Sequence, residues 1–186
     1  ASCSLKEDFK GNDSESATLT FTIGEEGAAT RAIGDGTTVD KLIWAVYDDQ
    51  GQNISKLNGE KSTSFPTQVE ITLAKGQTYS IAFWAQNSSV NAYTFARETH
   101  KIAIDYAGVN NDEARDAFFK TVQHTVTGDI ALDVTLERPF AQINLGVTKE
   151  DWDAAEIAGI TVENSKVVIE NAATSLDLFD GTVGGE

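Results

Sequence analysis

Residues 17–23 read ATLTFTI, residues 24–38 read GEEGAATRAIGDGTT, and residues 39–48 read VDKLIWAVYD. In the first stretch Leu19, Phe21 and Ile23 share one face and threonines fill the other, the period-two signature of a half-buried strand. The third stretch reads as a second strand. Between them lie four glycines, no large aromatic residue and one basic residue, Arg31. A segment so poor in core formers is expected at the surface, where proteases cut. Cleavage after Arg31 would sever the first strand while it still sat in its sheet. An edge held only non-covalently can be exchanged for another chain's strand, which is a route to polymerisation.

Further strands follow outward from this pair. The second strand runs into a glycine-containing turn at residues 49–53 and a short return strand at residues 54–57. Residues 67–74 (TQVEITLA) and 78–86 (TYSIAFWAQ) alternate in phase and read as a hairpin about Lys75-Gly76-Gln77. Residues 93–95 and 101–104 are short apolar runs. Residues 110–120 (NNDEARDAFFK) read as a helix, with Asn110 as cap, Glu113 at the capping-box position, and Ala114, Ala117 and Phe118 at helical spacing. Strands are expected at 122–126, 129–137 and 140–147. A second helix is expected at 149–158, capped by Thr148 and stopped by Gly159, and a strand or hairpin at 160–170. Residues 172–186 show no closing element. Seven to nine short alternating strands with two short helices give a mostly β chain, an antiparallel β-sandwich.

The chain has 186 residues, enough for one domain with a real core or a domain plus a tail. Its formal net charge of −15 argues against nucleic acid or anionic membrane as an electrostatic partner. The charge is interspersed and reads as a solvated acidic surface. Residues 1–16 are polar and read as a flexible tether. The one cysteine, Cys3, excludes an internal disulfide and a thiolate metal cluster. Ala1-Ser2-Cys3-Ser4 resembles the end of a bacterial lipobox, and Lys6-Glu7-Asp8 resembles the signal that sends some lipoproteins of Bacteroidota to the outer surface. The reading is lipidation at Cys3, against an incidental cysteine in a flexible leader. No stretch has the length of a transmembrane helix.

His100 and His124 lack metal-ligand spacing and read as surface or edge histidines. No nucleophile elbow or phosphate loop is present. Asp48-Asp49 and Asp112-Glu113 sit where turn chemistry and helix dipoles account for carboxylates. Residues 48–53 fit no EF-hand spacing, so calcium is disfavoured. Trp44, Trp84 and Trp152 read as core or interface aromatics rather than a sugar platform. The expectation is a protein that is not an enzyme, with no metal and no cofactor.

Arg31-Ala32-Ile33-Gly34-Asp35-Gly36, followed by Val39, Lys41-Leu42 and Val46-Tyr47, resembles the start of the mature fimbrillins of Bacteroidota, the type V pilins. Leu136-Glu137-Arg138-Pro139-Phe140-Ala141-Gln142-Ile143-Asn144 is similar to a stretch near the end of their N-terminal domain, and Asp116-Ala117-Phe118-Phe119 is also similar to fimbrillin-like domains. The resemblance covers residues 17–186. It implies a transthyretin-like sandwich divided into a tether (1–16), a propeptide strand with cleavage loop (17–31) and an N-terminal domain (32–186). It further implies export as a lipoprotein to the outer membrane and fimbrium, removal of the propeptide by an arginine-specific protease between Arg31 and Ala32, and filling of the groove by a neighbouring subunit's strand. The family's second sandwich domain, whose C-terminal segment supplies the donor strand, is not expected within these residues, so the expectation is either a fragment ending near Glu186 or a chain that is not a polymerising subunit. The leading expectation is therefore a fimbrial subunit or fimbria-associated adhesin domain. The alternative is an uncleaved surface lipoprotein module that binds glycan or host protein. A cell-surface hydrolase has little support.

Overall fold

Alternating side chains decide which segments of this chain become strands, and which faces those strands bury. The computed structural model describes residues 15–25, 38–108, 112–141, 146–161 and 167–185. It contains β1 (Ser16–Glu25), β2 (Lys41–Tyr47), β3 (Gly59–Ser62), β4 (Thr67–Ala74), β5 (Thr78–Gln86), β6 (Tyr93–Ala96), β7 (Lys101–Ile104), β8 (Ala117–Thr125), β9 (Ile130–Leu136), a helix α1 (Lys149–Ile157), β10 (Ser175–Asp177) and β11 (Val183–Gly184). The strands form three sheets, ordered β4-β1-β9, β3-β2-β5-β8 and β11-β10-β7-β6. Neighbours are antiparallel except β1 and β9, which run parallel.

The fold is mostly β and sandwich-like, as the alternation predicts, with the middle sheet buried on both faces. On one face Leu42, Val46, Ile81, Phe83, Ala85 and Phe118 pack against Ala17, Leu19, Phe21 and Ile23 of β1, Val69, Ile71 and Leu73 of β4, and Val134 and Leu136 of β9. On the other face Ile43, Ala45, Tyr47, Ala82, Trp84 and Ala117 pack against Ile102, Ile104 and Leu176 of the third sheet and Leu178 just after β10. A strand with apolar residues on both faces reads as a continuous apolar run, which is how IAFWA in β5 is built. At one corner Phe119 and Glu137 exchange both backbone hydrogen bonds, at 2.9 and 3.0 Å, tying the end of β9 to β8. Arg138 donates to both carboxylate oxygens of Asp116 and lies 4.9 Å over the Phe118 ring.

Four expectations are corrected. Residues 113–115 form one 3-10 turn and Ala117 begins β8, so the helix expected at 110–120 is absent among its described residues. Ala117 and Phe118 enter opposite cores, and their crowding mimics helical spacing only because both faces of β8 are apolar. The return expected at 54–57 is a 3-10 turn, with the strand two residues later. There the Ile54 N–H still donates to the Val46 carbonyl, but Asn58 Oδ1 accepts the Val46 N–H, so a side chain takes a ladder bond that a longer strand would have made. β4 and β5 are no hairpin: their apolar faces meet across the first core, which places them in different sheets. Finally, the chain does carry a closing hairpin, β10–β11, with Gly181 at φ 73° in its turn.

Other expectations hold or fall elsewhere. Helix α1 is capped as its sequence predicts, the Asp151 N–H donating to Thr148 Oγ1 at 3.1 Å, with Gly159 at φ 71° after it. The strands expected at 140–147 and 160–170 lie partly outside the described residues, and their described ends are not in strands.

Gly59 faces the Trp44 ring so closely that an added methyl group would overlap it, whereas nothing lies within 4 Å of the same position at Gly128. Gly59→Ala is expected to cost about 1–3 kcal/mol through displacement of the indole, and Gly128→Ala to stay within about 0.5 kcal/mol. Urea unfolding followed by tryptophan fluorescence checks both. Equal stabilities would mean that Trp44 does not rest on Gly59.

Candidate functional site

β1 is not the sheet edge expected of it but the middle strand of its sheet, because it finds a partner on each side. Its register with β4 runs from Ser16 opposite Ala74 to Ile23 opposite Thr67, and with β9 from Leu19 beside Ile130 to Glu25 beside Leu136. Among the described residues neither β4 nor β9 has another ladder, the one further tie being the Phe119–Glu137 bridge between β8 and the residue after β9. Adjacent strands are about 4.8 Å apart, so removing β1 would leave two unpaired edges roughly 9.6 Å apart, a groove one strand wide. Before β9 begins, Asp129 Oδ1 accepts the Thr18 N–H at 2.9 Å. At the same end the Lys75 N–H donates to the Glu15 carbonyl at 2.8 Å.

The two faces of β1 have different jobs. Ala17, Leu19, Phe21 and Ile23 are buried, the last three completely. Phe21 meets Phe83 edge-on with centroids 5.3 Å apart. The threonines face outward, where Thr18 and Thr72 hydroxyls lie 3.2 Å apart and Gln68 Nε2 donates to Thr22 Oγ1 at 3.5 Å. At about 2 kcal/mol per buried large side chain, the inward face contributes on the order of 6 kcal/mol before chain entropy is counted. That is enough to retain a strand without a covalent link, and little enough for a competing strand to match it.

Leu19, Phe21 and Ile23 thus come together as the sequence predicts. Arg31, Ala32, Cys3 and Lys6-Glu7-Asp8 lie outside the described residues. Trp84 is fully buried and Trp44 packs against the first core, whereas Trp152 stands half exposed on α1. Asp48 Oδ1 accepts the Gln50 and Gln52 N–H groups, so this carboxylate closes its own turn. His124 lies on β8 opposite Tyr79. Among the described residues no three His, Cys, Asp or Glu side chains gather in a metal-binding group.

The sequence reading missed an aromatic clasp that fastens the closing hairpin. His100, held at φ 49°, stacks on Phe179 at 4.1 Å, and its Nδ1 lies 2.8 Å from Asp177 Oδ1. Tyr47 meets the Phe179 ring edge-on at 4.9 Å. The Tyr47 hydroxyl is buried with no hydrogen-bond partner. Burial, and after it the negative charge of Glu98, push its pKa above the ordinary phenol value. These residues are spread over β2, the turn before β7 and the far end of the chain, so no local motif announces them.

Phe21→Ala is expected to destabilise the protein by about 3–5 kcal/mol, and Thr20→Ala, on the outer face, by less than about 1 kcal/mol. Chemical denaturation of the two variants measures the difference. A Phe21→Ala cost as small as that of Thr20→Ala would mean that β1 is not an integral strand.

A family profile described as a family of unknown function (DUF6562) matches residues 10–186. No curated protein matches the sequence. Among solved structures, the chain is similar to a candidate polysaccharide-binding protein (DUF1812) of Bacteroides thetaiotaomicron, with 12% identity, 66% of this chain and 46% of that chain covered, and a TM-score of 0.44. It is also similar to a fimbrial assembly protein of Parabacteroides distasonis, with 16% identity, 88% and 66% covered, and a TM-score of 0.41. A minor pilin of Streptococcus agalactiae has 8% identity, 72% and 49% covered, and a TM-score of 0.31. The chain spans about half the length of the first of these structures and about two thirds of the second.

Proposed function

The chain belongs to the DUF6562 family, whose description assigns no function, and on the geometry of β1 we propose that it is a fimbrial subunit or a fimbria-associated adhesin domain. In this reading a cut after Arg31 frees β1, and a strand from a neighbouring subunit takes its place. The observation that carries it is the position of β1: a central strand, buried on its apolar face, on which both neighbours depend for pairing. The chain between β1 and β2 is residues 26–40, so one cut there turns an internal strand into a bound peptide. The resemblance of the residues after Arg31 to the start of mature fimbrillins supports the same reading.

The partners are then other subunits through the exchanged strand, an arginine-specific protease, and the outer membrane through a lipidated Cys3. No catalytic step is assigned. The place of action is the cell surface, in a fimbrium. A central strand suits this role better than an edge strand does. Losing an edge strand exposes one ladder, whereas losing β1 exposes two facing ladders and the apolar floor between them, so the vacancy strongly favours being refilled.

Limiting trypsin is expected to cut first after Arg31 among the 14 lysines and arginines, and the cut peptide is expected to co-elute with the rest on native size exclusion. Early cutting at Lys56 or Lys61 with Arg31 intact would contradict the maturation step and favour an uncleaved surface module. Release of the peptide with the remainder stable and monomeric would contradict exchange. A Cys3→Ser protein is expected to unfold at the same urea concentration as the wild type but to leave the membrane fraction of its native host. Continued anchoring would contradict lipidation.

A further inference from the structure

The pairing of β1 has an unusual symmetry. Its neighbour β4 runs antiparallel to it and its neighbour β9 runs parallel. A strand entering the vacated groove in the opposite direction would pair parallel with β4 and antiparallel with β9. Either way it makes one ladder of each kind, so the backbone gives no strong preference between the two directions. We propose that the groove instead orients an incoming strand by side-chain size, with the Ala17 position as the discriminating site. The inference rests on the exchange reading above and specifies its partner: an extended segment of alternating polarity whose inward residues include one small residue at one end.

The side-chain sites are not symmetric. Inward residues of β1 run Ala17, Leu19, Phe21, Ile23, all at 2% exposure or less. Ala17 lies opposite Leu73, itself 2% exposed, beyond the point where β9 begins. The Thr18 N–H is already satisfied there by the Asp129 side chain, which fixes the loop before β9 against this end of the strand. A branched residue at the Ala17 site would overpack a closed core. The opposite end, where Ile23 lies opposite Thr67 and beside Val134, accommodates a branched side chain. Entering backwards, the native sequence would drive an isoleucine into the alanine site and leave a void at the other end. A strand with its small residue at its other terminus would fit only backwards.

The outward threonines supply a readout of direction. In register Thr22 faces Gln68 and Thr18 faces Thr72, and cross-strand neighbours are close enough for a disulfide after small adjustment. The test uses the Cys3→Ser protein carrying either Gln68→Cys or Thr72→Cys. It is cut after Arg31 or, where Arg31 resists, at a protease site placed in residues 26–37. The cut protein is unfolded in urea and refolded with excess synthetic peptide. One peptide is ATLTFTI and the other ITLTFTA, its end residues exchanged, each with its last threonine replaced by cysteine. The native-order peptide is expected to cross-link to the Gln68→Cys protein at least tenfold faster than to the Thr72→Cys protein, and the exchanged peptide to show the reverse preference. If both peptides cross-link to the same position, the backbone sets the direction and the inference is overturned while exchange stands. If neither peptide restores folded protein or cross-links, the exchange reading itself fails and takes the inference with it.

Discussion

Apart from the single Phe119–Glu137 bridge that ties the residue after β9 to β8, neither β4 nor β9 pairs with any described strand but β1, so the ladders of the outer sheet exist only while something occupies the position between them. The same occupant places Leu19, Phe21 and Ile23 over the middle sheet. An empty groove would expose unpaired groups on both edges at once, along with the apolar floor. The position can therefore change hands, but it cannot stay empty at low cost. That constraint links the fold to the proposed assembly, because the strand that completes the monomer is also the one whose replacement would join two subunits.

The middle sheet makes such an exchange tolerable. β2, β5 and the start of β8 are apolar on both faces and keep a second core with β7 and β10 that does not involve β1. Tyr47 belongs to that second core, and the Phe179 and His100 rings of the aromatic clasp pack beside it at the edge. Loss of β1 would strip one side of the middle sheet while the other side remained packed. A two-layer sandwich stripped of its central strand would keep no such intact layer.

Much of this was legible in the sequence, and the failures share a cause. ATLTFTI, TQVEITLA and TYSIAFWAQ each gave their strands within one or two residues, because one polar and one apolar face, or a continuous apolar run, leaves little choice. The AFF cluster at the start of β8 misled, because two apolar faces on one strand imitate a helical stripe. The false hairpin of β4 and β5 arose because alternation shows which face is apolar but not whether two such faces lie side by side or opposite one another. The closing hairpin was invisible because β10 and β11 are only three and two residues long. At the candidate site, the inward residues of β1 were readable, whereas its parallel pairing with β9, more than a hundred residues away, had no local signal.

Residue-resolved amide hydrogen exchange on the intact and the Arg31-cut protein tests the central claim most directly. Amides that open together exchange at a common rate set by the free energy of that opening. The account predicts that after the cut, the amides of β1 and those of β4 and β9 that face it exchange faster and converge on one rate, while those between β2 and β5 stay protected. Unchanged protection in β4 and β9, with only β1 exchanging faster, would mean that the outer sheet does not depend on its central strand, and would contradict the account.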